Sequence, residues 1–391
     1  MTNHIKECQE KVRELILKNN SDLSRIMMRN EANVNLILTN SCNLSCPFCY
    51  QPKEIRNSNV MSRGIADKAM LFLSREYEAK SLIVNLFGGE PFVNKDLAIY
   101  LVEKYPMFRF LATTNGLLLL ENEELRNWVK KNRGNLTISF SMGALKQRFQ
   151  SSELIDKTSP ILEVVKNNKG DVHYVVDDPF DSFVLKHVRY LLDMGIENLR
   201  FSLPKESDKV INYKNEYIEL FKKIVDICYP VKNPNLKLNL DVYCKTNIYK
   251  QVHGDTKFNF QSSFCGASFS YLAIDYKGDI YPCDYFSAYP EWKLGDIYKG
   301  LDSKNRIFEK LPGWENNIYK DCQDCVLGDV RLCPNAMCFA ENFRYNKDVF
   351  KPTKTICFIR EIELATYKYI SEVMMEEEKT NAESPVSLQS C

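Results

Sequence analysis

The sequence predicts an α/β fold, a partial (β/α)6 barrel followed by a cysteine-rich C-terminal domain. Three observations predict it. Short β-rich apolar runs alternate with helical patterns over the first 230 residues or so. Glycine or asparagine turns close several of those runs. Beyond them the alternation stops, and a stretch rich in Cys, Pro, Gly and Asn takes over. Six βα units in about 200 residues argue for a parallel sheet with helices outside. Right-handed crossovers curl such a sheet into a barrel or part of one, with reactive groups beyond the C-terminal strand ends.

The elements follow in order. "NVNLILTN" (33–40) is β-rich and runs into the first cysteines. A helical pattern at about 62–78 leads to "SLIVNLFGGEP" (81–91), a strand that breaks into a glycine turn. "KDLAIYLVEKY" is helical, and "FRFLATTNG" (108–116) is a strand ending in a turn. "NEELRNWVKKN" is helical and "NLTISFS" (135–141) is a strand. A helix near 153–168 precedes the strand "DVHYVVDD" (171–178). "SFVLKHVRYLLDMG" is helical, with Gly195 as its C-cap. "ENLRFSLP" (197–204) is the sixth strand, followed by the helix "NYKNEYIELFKKIVDICY". "NLKLNLDVYC" reads as one more strand, and "SYLAIDYKGDIYPC" (270–283) as a hairpin around "KGD". The predicted domains are an N-terminal helical segment (1–32), the barrel (33–235), the cysteine-rich domain (236–358), and a C-terminal helix with a disordered tail (359–391).

Bulk properties narrow the function. The chain has 391 residues, 45% of them hydrophobic, enough for two or three domains. Lys and Arg total 52 against 51 Asp and Glu, so neither nucleic acid nor a membrane surface is an expected partner. The N-terminal segment is charged and lacks an apolar signal core, and no stretch approaches a transmembrane length. A cytoplasmic location is expected. Fourteen cysteines in a reducing compartment favour metal binding over disulfides. Cys8, Cys228, Cys244 and Cys391 are scattered and read as incidental thiols.

Cys42, Cys46 and Cys49 lie within eight positions, as Cys-x3-Cys-x2-Cys. Thiolates suit zinc or iron–sulfur clusters, but a structural zinc needs four ligands and no histidine stands nearby. A [4Fe–4S] cluster takes one cysteine per iron, so three would leave one iron open to a substrate or cofactor. The count therefore points to reactivity.

This spacing after the first strand, with Phe48 just before the last cysteine, resembles the radical S-adenosylmethionine (SAM) superfamily. The resemblance implies a TIM-like radical SAM partial barrel and an open iron that chelates the SAM amino and carboxylate groups. It also implies reductive SAM cleavage to a 5′-deoxyadenosyl radical. "FGGEP" (87–91) matches the family's second-strand motif, which implies that Gly88, Gly89, Glu90 and Pro91 bind the SAM amine. Thr114 and Asn115, ending the third strand, are then expected near SAM or substrate. Ser139 and Ser141, ending the fourth, are expected at the SAM carboxylate or ribose. Relatives often read Ser-Leu-Asp-Gly there, where this chain has "SFSMGAL".

The C-terminal cysteines resemble the SPASM extension, which carries two auxiliary [4Fe–4S] clusters. That implies three clusters in all. By this analogy Cys322, Cys325, Cys333 and Cys357 hold the second auxiliary cluster. Cys265, Cys283 and Cys338 hold the first, whose fourth ligand is Cys244, a substrate thiolate or a group outside the pattern. The gaps after Cys325 and Cys333 are longer than the common pattern. Seven thiols cannot fill two four-cysteine zinc sites, whereas two clusters with one open position accommodate them.

SPASM enzymes mostly modify peptides or proteins. The leading expectation is maturation of a ribosomally made precursor peptide with a leader, forming a thioether or related crosslink, with flavodoxin or ferredoxin as electron donor. The alternative is an anaerobic sulfatase-maturating enzyme that oxidises Cys or Ser to formylglycine, with Asp284 as base. A non-catalytic zinc or iron scaffold is the reading from a different class. With only 32 residues before the first strand, leader binding is expected on the barrel, the SPASM surface or a separate partner.

Overall fold

The computed structural model describes residues 32–51, 59–205, 207–228, 237–240, 267–268, 271–302, 325, 338–349 and 351–383. Six strands stand where the sequence predicts them: β1 (Ala32–Thr39), β2 (Leu82–Gly88), β3 (Arg109–Thr114), β4 (Leu136–Ser141), β5 (Asp171–Val175) and β6 (Asn198–Ser202). Each pairs in parallel with the next. β7 (Lys237–Leu240) continues the series beside β6.

Helices connect the strands: α1 (Arg63–Glu76), α2 (Lys95–Lys104), α3 (Leu117–Glu121), α4 (Glu123–Lys131), α5 (Leu154–Asn167), α6 (Val184–Asp193), α7 (Asp208–Asn212) and α8 (Lys214–Cys228). Local chemistry sets their ends. The Ser62 hydroxyl accepts the Ile65 N–H to start α1, and the Asn122 side chain accepts the Leu125 N–H to start α4. Gly195, at φ +76°, turns the chain just past α6, as expected of a C-terminal cap.

The expected hairpin is present as β8 (Tyr271–Ile274) and β9 (Asp279–Tyr281), extended by β10 (Gly295–Asp296) and β11 (Gly300–Leu301). β8 also lies parallel to β1, with Asn33 to Leu36 opposite Tyr271 to Ile274. The result is one sheet of eleven described strands in the order β11-β10-β9-β8-β1-β2-β3-β4-β5-β6-β7. After it come α9 (Phe339–Asn346) and α10 (Lys354–Glu383). The predicted N-terminal helix (1–32) lies outside the described residues except for Ala32.

The sheet's two faces differ in chemistry. Val34, Leu36, Val84, Leu86, Phe110, Ile138, Phe140, Tyr174 and Phe201 are buried in the main core. The alternate positions Asn33, Asn35, Asn85, Thr113, Ser139, Asp171, His173, Arg200 and Ser202 instead line a cavity of about 600 Å³. A parallel strand covered on both faces normally reads as a continuous apolar run, so this alternation marks a hollow, polar interior.

Candidate active site

The cavity opens where the strands end. Its lining includes Cys42, Cys46, Phe48, Cys49, Gly88, Gly89, Glu90, Thr114, Asn115, Ser139 and Ser141, together with Cys283, Asp284 and Cys338 from the C-terminal part. Sequence positions more than 290 residues apart thus share one space. Pro91 sits just outside it, starting the 3-10 turn Pro91–Asn94. Cys325 is exposed and Cys357 half-buried in α10; neither lines the cavity. Cys265, Cys322 and Cys333 lie outside the described residues, as does Cys244.

The cysteine loop follows β1 and packs against the glycine turn after β2. The Gly89 and Glu90 N–H groups donate to the Thr39 and Ser41 carbonyls at 3.0 and 2.8 Å. A Cβ on Gly89 would meet Ser41 O at 2.2 Å, and one on Gly88 would meet Thr39 O at 2.2 Å. The two turns approach so closely only because both residues lack side chains. The Leu44 N–H points at Cys42 Sγ from 3.4 Å, the Asn115 side-chain amide at the same sulfur from 3.8 Å. Cys46 Sγ lies 3.9 Å from the Ala144 carbonyl, in the turn Met142–Gln147 after β4. Lys146 in that turn is held by Asp177 and Asp181 at 3.0 and 2.8 Å.

None of the three loop cysteines is in a disulfide, and each is half-buried at the cavity wall. Among the described residues no three His, Cys, Asp or Glu side chains converge on a single metal ion. A four-iron cluster attaches each sulfur to a different iron and so spreads its ligands wider than one ion does. Three unbridged thiols on one loop, the first of them met by two N–H donors, are a donor set that fits such a cluster.

Glu90 is the buried acid of the site. Its carboxylate accepts from Thr114 Oγ1 at 2.7 Å, the Asn115 N–H at 2.8 Å and the Phe92 N–H at 3.3 Å. Burial raises its pKa from 4.5 to about 7, although those hydrogen bonds pull the other way. Elsewhere on the cavity lining, Arg200 Nη2 contacts Ser139 Oγ at 2.9 Å and Asp171 at 3.2 Å. Its buried Nε–H has no hydrogen-bond partner among the described residues. His173 Nε2 meets Ser202 Oγ at 2.7 Å, and burial, then Arg200 and Lys205, hold the imidazole well below its ordinary pKa.

Asp284, the sequence-predicted base, has both carboxylate oxygens engaged. Oδ1 accepts from Asn35 Nδ2 at 2.9 Å and from the Tyr271 hydroxyl at 2.7 Å, and Oδ2 accepts from the Tyr50 hydroxyl. Behind Asn35 stand Asn85, donating at 2.8 Å, and Thr113, donating to Asn85 at 3.1 Å. Sequence reasoning did not single out Tyr50, Asn35, Asn85, His173, Arg200, Tyr271 or Arg344. The period-two polar residues in "NVNLILT", "DVHYV" and "NLRFS" were the available signal for the strand residues. Arg344 and Tyr271 carried none.

No described helix is long and apolar enough to cross a membrane. Residues 36–209 match the family model for the radical SAM superfamily. A GTP 3′,8-cyclase of Clostridium botulinum (strain Langeland) is 25% identical over 300 residues, covering 70% of this chain and 86% of the cyclase. A probable GTP 3′,8-cyclase of Sulfurisphaera tokodaii is 23% identical over 267 residues, covering 57% and 83%. Among solved structures, native anSMEcpe with bound AdoMet is similar at a TM-score of 0.61 and 17% identity, over 89% of this chain and 99% of that one. Streptococcus suis SuiB bound to its precursor peptide SuiA is similar at 0.60 and 15%, over 86% and 78%. At these identities the structural likeness speaks for the fold. Residues 36–209 are therefore a radical SAM superfamily domain, and the chain that carries it is an enzyme.

Proposed function

We propose that the chain is a radical SAM peptide maturase that joins or oxidises side chains of a ribosomally made precursor, with thioether formation as the leading reaction. A domain of this family implies one [4Fe–4S] cluster and SAM. One observation carries the reading: residues of the C-terminal extension, among them Cys283, Asp284 and Cys338, line the same cavity as the Cys42–Cys46–Cys49 loop. A substrate side chain in that cavity touches both the SAM end and the extension.

A cluster held there would supply the electron for reductive SAM cleavage, the source of hydrogen-abstracting power toward the substrate. The chain's own residues do the rest. Cys42, Cys46 and Cys49 hold the cluster with a position left open. Ionised Glu90 would accept from the SAM amine, with the Gly88–Gly89 turn allowing the close backbone approach. Ser139 and Arg200, whose Nε–H has no partner among the described residues, would receive the SAM carboxylate. Phe48, Thr114, Asn115 and Ser141 shape the wall, and Pro91 fixes the turn behind it. In the extension, Cys265, Cys283 and Cys338 would hold a first auxiliary cluster and Cys322, Cys325, Cys333 and Cys357 a second.

The alternative, formylglycine formation with Asp284 as base, is favoured by the position of Asp284 beside Cys283 in the cavity. To accept a proton there, Asp284 must exchange one of its three donors for the substrate. GTP cyclisation, named in the sequence relatives, is disfavoured by charge. Glu90, Asp171, Asp284 and Glu341 line the cavity against Arg200, Lys205 and Arg344, and Arg200 is already paired with Asp171. A triphosphate needs the opposite balance.

The test is anaerobic reconstitution followed by mass spectrometry. The proposal expects 5′-deoxyadenosine, and loss of two hydrogens per site in a co-expressed Cys-containing precursor peptide. Conversion of Cys to an aldehyde in a sulfatase peptide gives the alternative. GTP consumption without any peptide modification overturns both, and zinc content with intact SAM makes the chain a scaffold.

A further inference from the structure

Tyr50, the residue immediately after Cys49, is gripped from three directions by the C-terminal part of the chain. Its hydroxyl donates to Asp284 Oδ2. Its ring stacks on Tyr285, with centroids 3.7 Å apart and planes 9° apart. Its backbone carbonyl accepts from Arg344 Nη1 of α9 at 2.7 Å, across 294 positions of sequence. The next residue, Gln51, is buried and donates from Nε2 to the Gly88 carbonyl at 3.0 Å, which ties the loop to the glycine turn.

The grip is anchored. Asp284 is fixed by Asn35 and Tyr271, and Asn35 in turn by Asn85 on the neighbouring strand. α9 is seated by an aromatic cluster in which Phe343 packs edge-on against Tyr289 and Trp292, at 5.2 Å each. A charge-assisted Arg–carbonyl bond on one side and a phenol–carboxylate bond on the other leave Tyr50 little freedom. Cys49 is one peptide away and inherits that constraint.

We propose that Arg344 and Asp284 are positioning residues that act through Tyr50: they set the conformation of the cysteine loop and therefore the geometry with which SAM is held. The C-terminal extension is thereby part of the SAM site, although it contributes no expected SAM contact. The inference rests on Cys49 being a cluster ligand.

The test compares reconstituted wild-type enzyme with Tyr50→Phe, Arg344→Gln and Arg344→Lys, at matched iron content. Tyr50→Phe keeps the stack and removes only the hydroxyl. The first readout is the EPR spectrum of the reduced enzyme with and without SAM, together with SAM affinity. Arg344→Gln and Tyr50→Phe are expected to alter the SAM-dependent signal and weaken SAM binding roughly tenfold, the scale of one lost hydrogen bond. Arg344→Lys, which keeps a cationic donor, restores part of the affinity. A merely structural role leaves the signal unmoved once iron content is matched. The second readout is hydrogen exchange at residues 42–51, expected to rise in Arg344→Gln while exchange in α9 stays unchanged. Wild-type spectra and affinity in both Tyr50→Phe and Arg344→Gln, or unchanged loop exchange, overturn the inference. A wild-type protein that binds no cluster through Cys49 fails the ligand reading instead, and loop exchange still decides whether the clamp exists.

Discussion

Thr114 donates its hydroxyl to Glu90 at 2.7 Å across the barrel mouth, joining the ends of β2 and β3 at the one buried carboxylate beside the glycine turn. Asn115 adds its backbone N–H at 2.8 Å. Both bonds favour the ionised form, yet burial outweighs them and leaves the group titrating at about 7.

That value gives SAM binding a pH dependence. Ionised Glu90 is the stronger acceptor for the N–H groups of the SAM amine, so affinity falls as pH drops below about 7. The slope reaches about tenfold per pH unit for a single proton. Glu90→Gln removes the slope and weakens binding at pH 8 by about 10- to 100-fold, the range for a hydrogen bond to a charged group. Calorimetric titration of the reconstituted enzyme between pH 6 and 8.5, a range spanning about two and a half pKa units around the group, checks both. Stability runs the other way. A raised pKa contributes stability below the unfolded value of 4.5 that is lost as pH rises through about 7. Without SAM, Glu90→Gln therefore melts higher than wild type at alkaline pH.

Gly89→Ala tests the packing of the two turns. The new Cβ falls 2.2 Å from Ser41 O and 2.8 Å from Asn40 O, backbone atoms that cannot rotate away. Displacing the loop costs about 1–3 kcal/mol and moves Cys42 with it. The expected result is a lower melting temperature together with reduced iron uptake. Normal iron content with only a stability change would mean that the loop shifts as a body.

Lys146 is 10% exposed and neutralises Asp177 and Asp181 behind the turn that meets Cys46. Lys146→Met leaves those carboxylates uncompensated and costs about 3 kcal/mol in urea unfolding, as for other broken buried pairs. Adding Asp181→Asn recovers much of the loss. Equal stability of the single variant and wild type would show that water replaces the ammonium without penalty.

His187 is fully buried, its Nε2–H donating to the Ser151 carbonyl at 2.8 Å and its Nδ1 accepting from Tyr174 at 2.9 Å. Burial holds its pKa below 6.5. A depressed histidine contributes stability that is present above the unfolded value and lost as pH falls. The difference between wild type and His187→Gln should therefore shrink below pH 6.5, at up to about 1.4 kcal/mol per pH unit. Denaturant titrations at pH 5 to 8, bracketing the ordinary histidine value of about 6.5, check the slope.

The six strands were legible because each is a compact apolar run with a turn at its end, and the cysteine spacing and Gly-Gly-Glu turn named the mouth of the cavity. The parallel pairing of β8 with β1 was not legible. "SYLAIDYKGDIYPC" announces only its local hairpin, and nothing nearby specifies a partner in "NVNLILT". Tyr50 was hidden for the same reason: an aromatic after a cysteine has no distinguishing pattern, and its partners Asp284, Tyr285 and Arg344 come from distant segments. Asn35 and Arg200 were visible as polar interruptions of apolar strands, but a period-two polar residue also reads as a solvent-facing one until the sheet is known to be covered on both sides.

The seam between β1 and β8 also bears on how the polypeptide emerges from the ribosome. Asn35 meets Tyr271, 236 positions later. At about 5–20 residues per second, translation delivers that partner roughly 12–47 seconds after β1 appears. Throughout that interval the backbone N–H and C=O groups of β1 that pair with β8 in the folded chain lack that partner, the kind of strand edge that invites wrong pairing until the hairpin arrives.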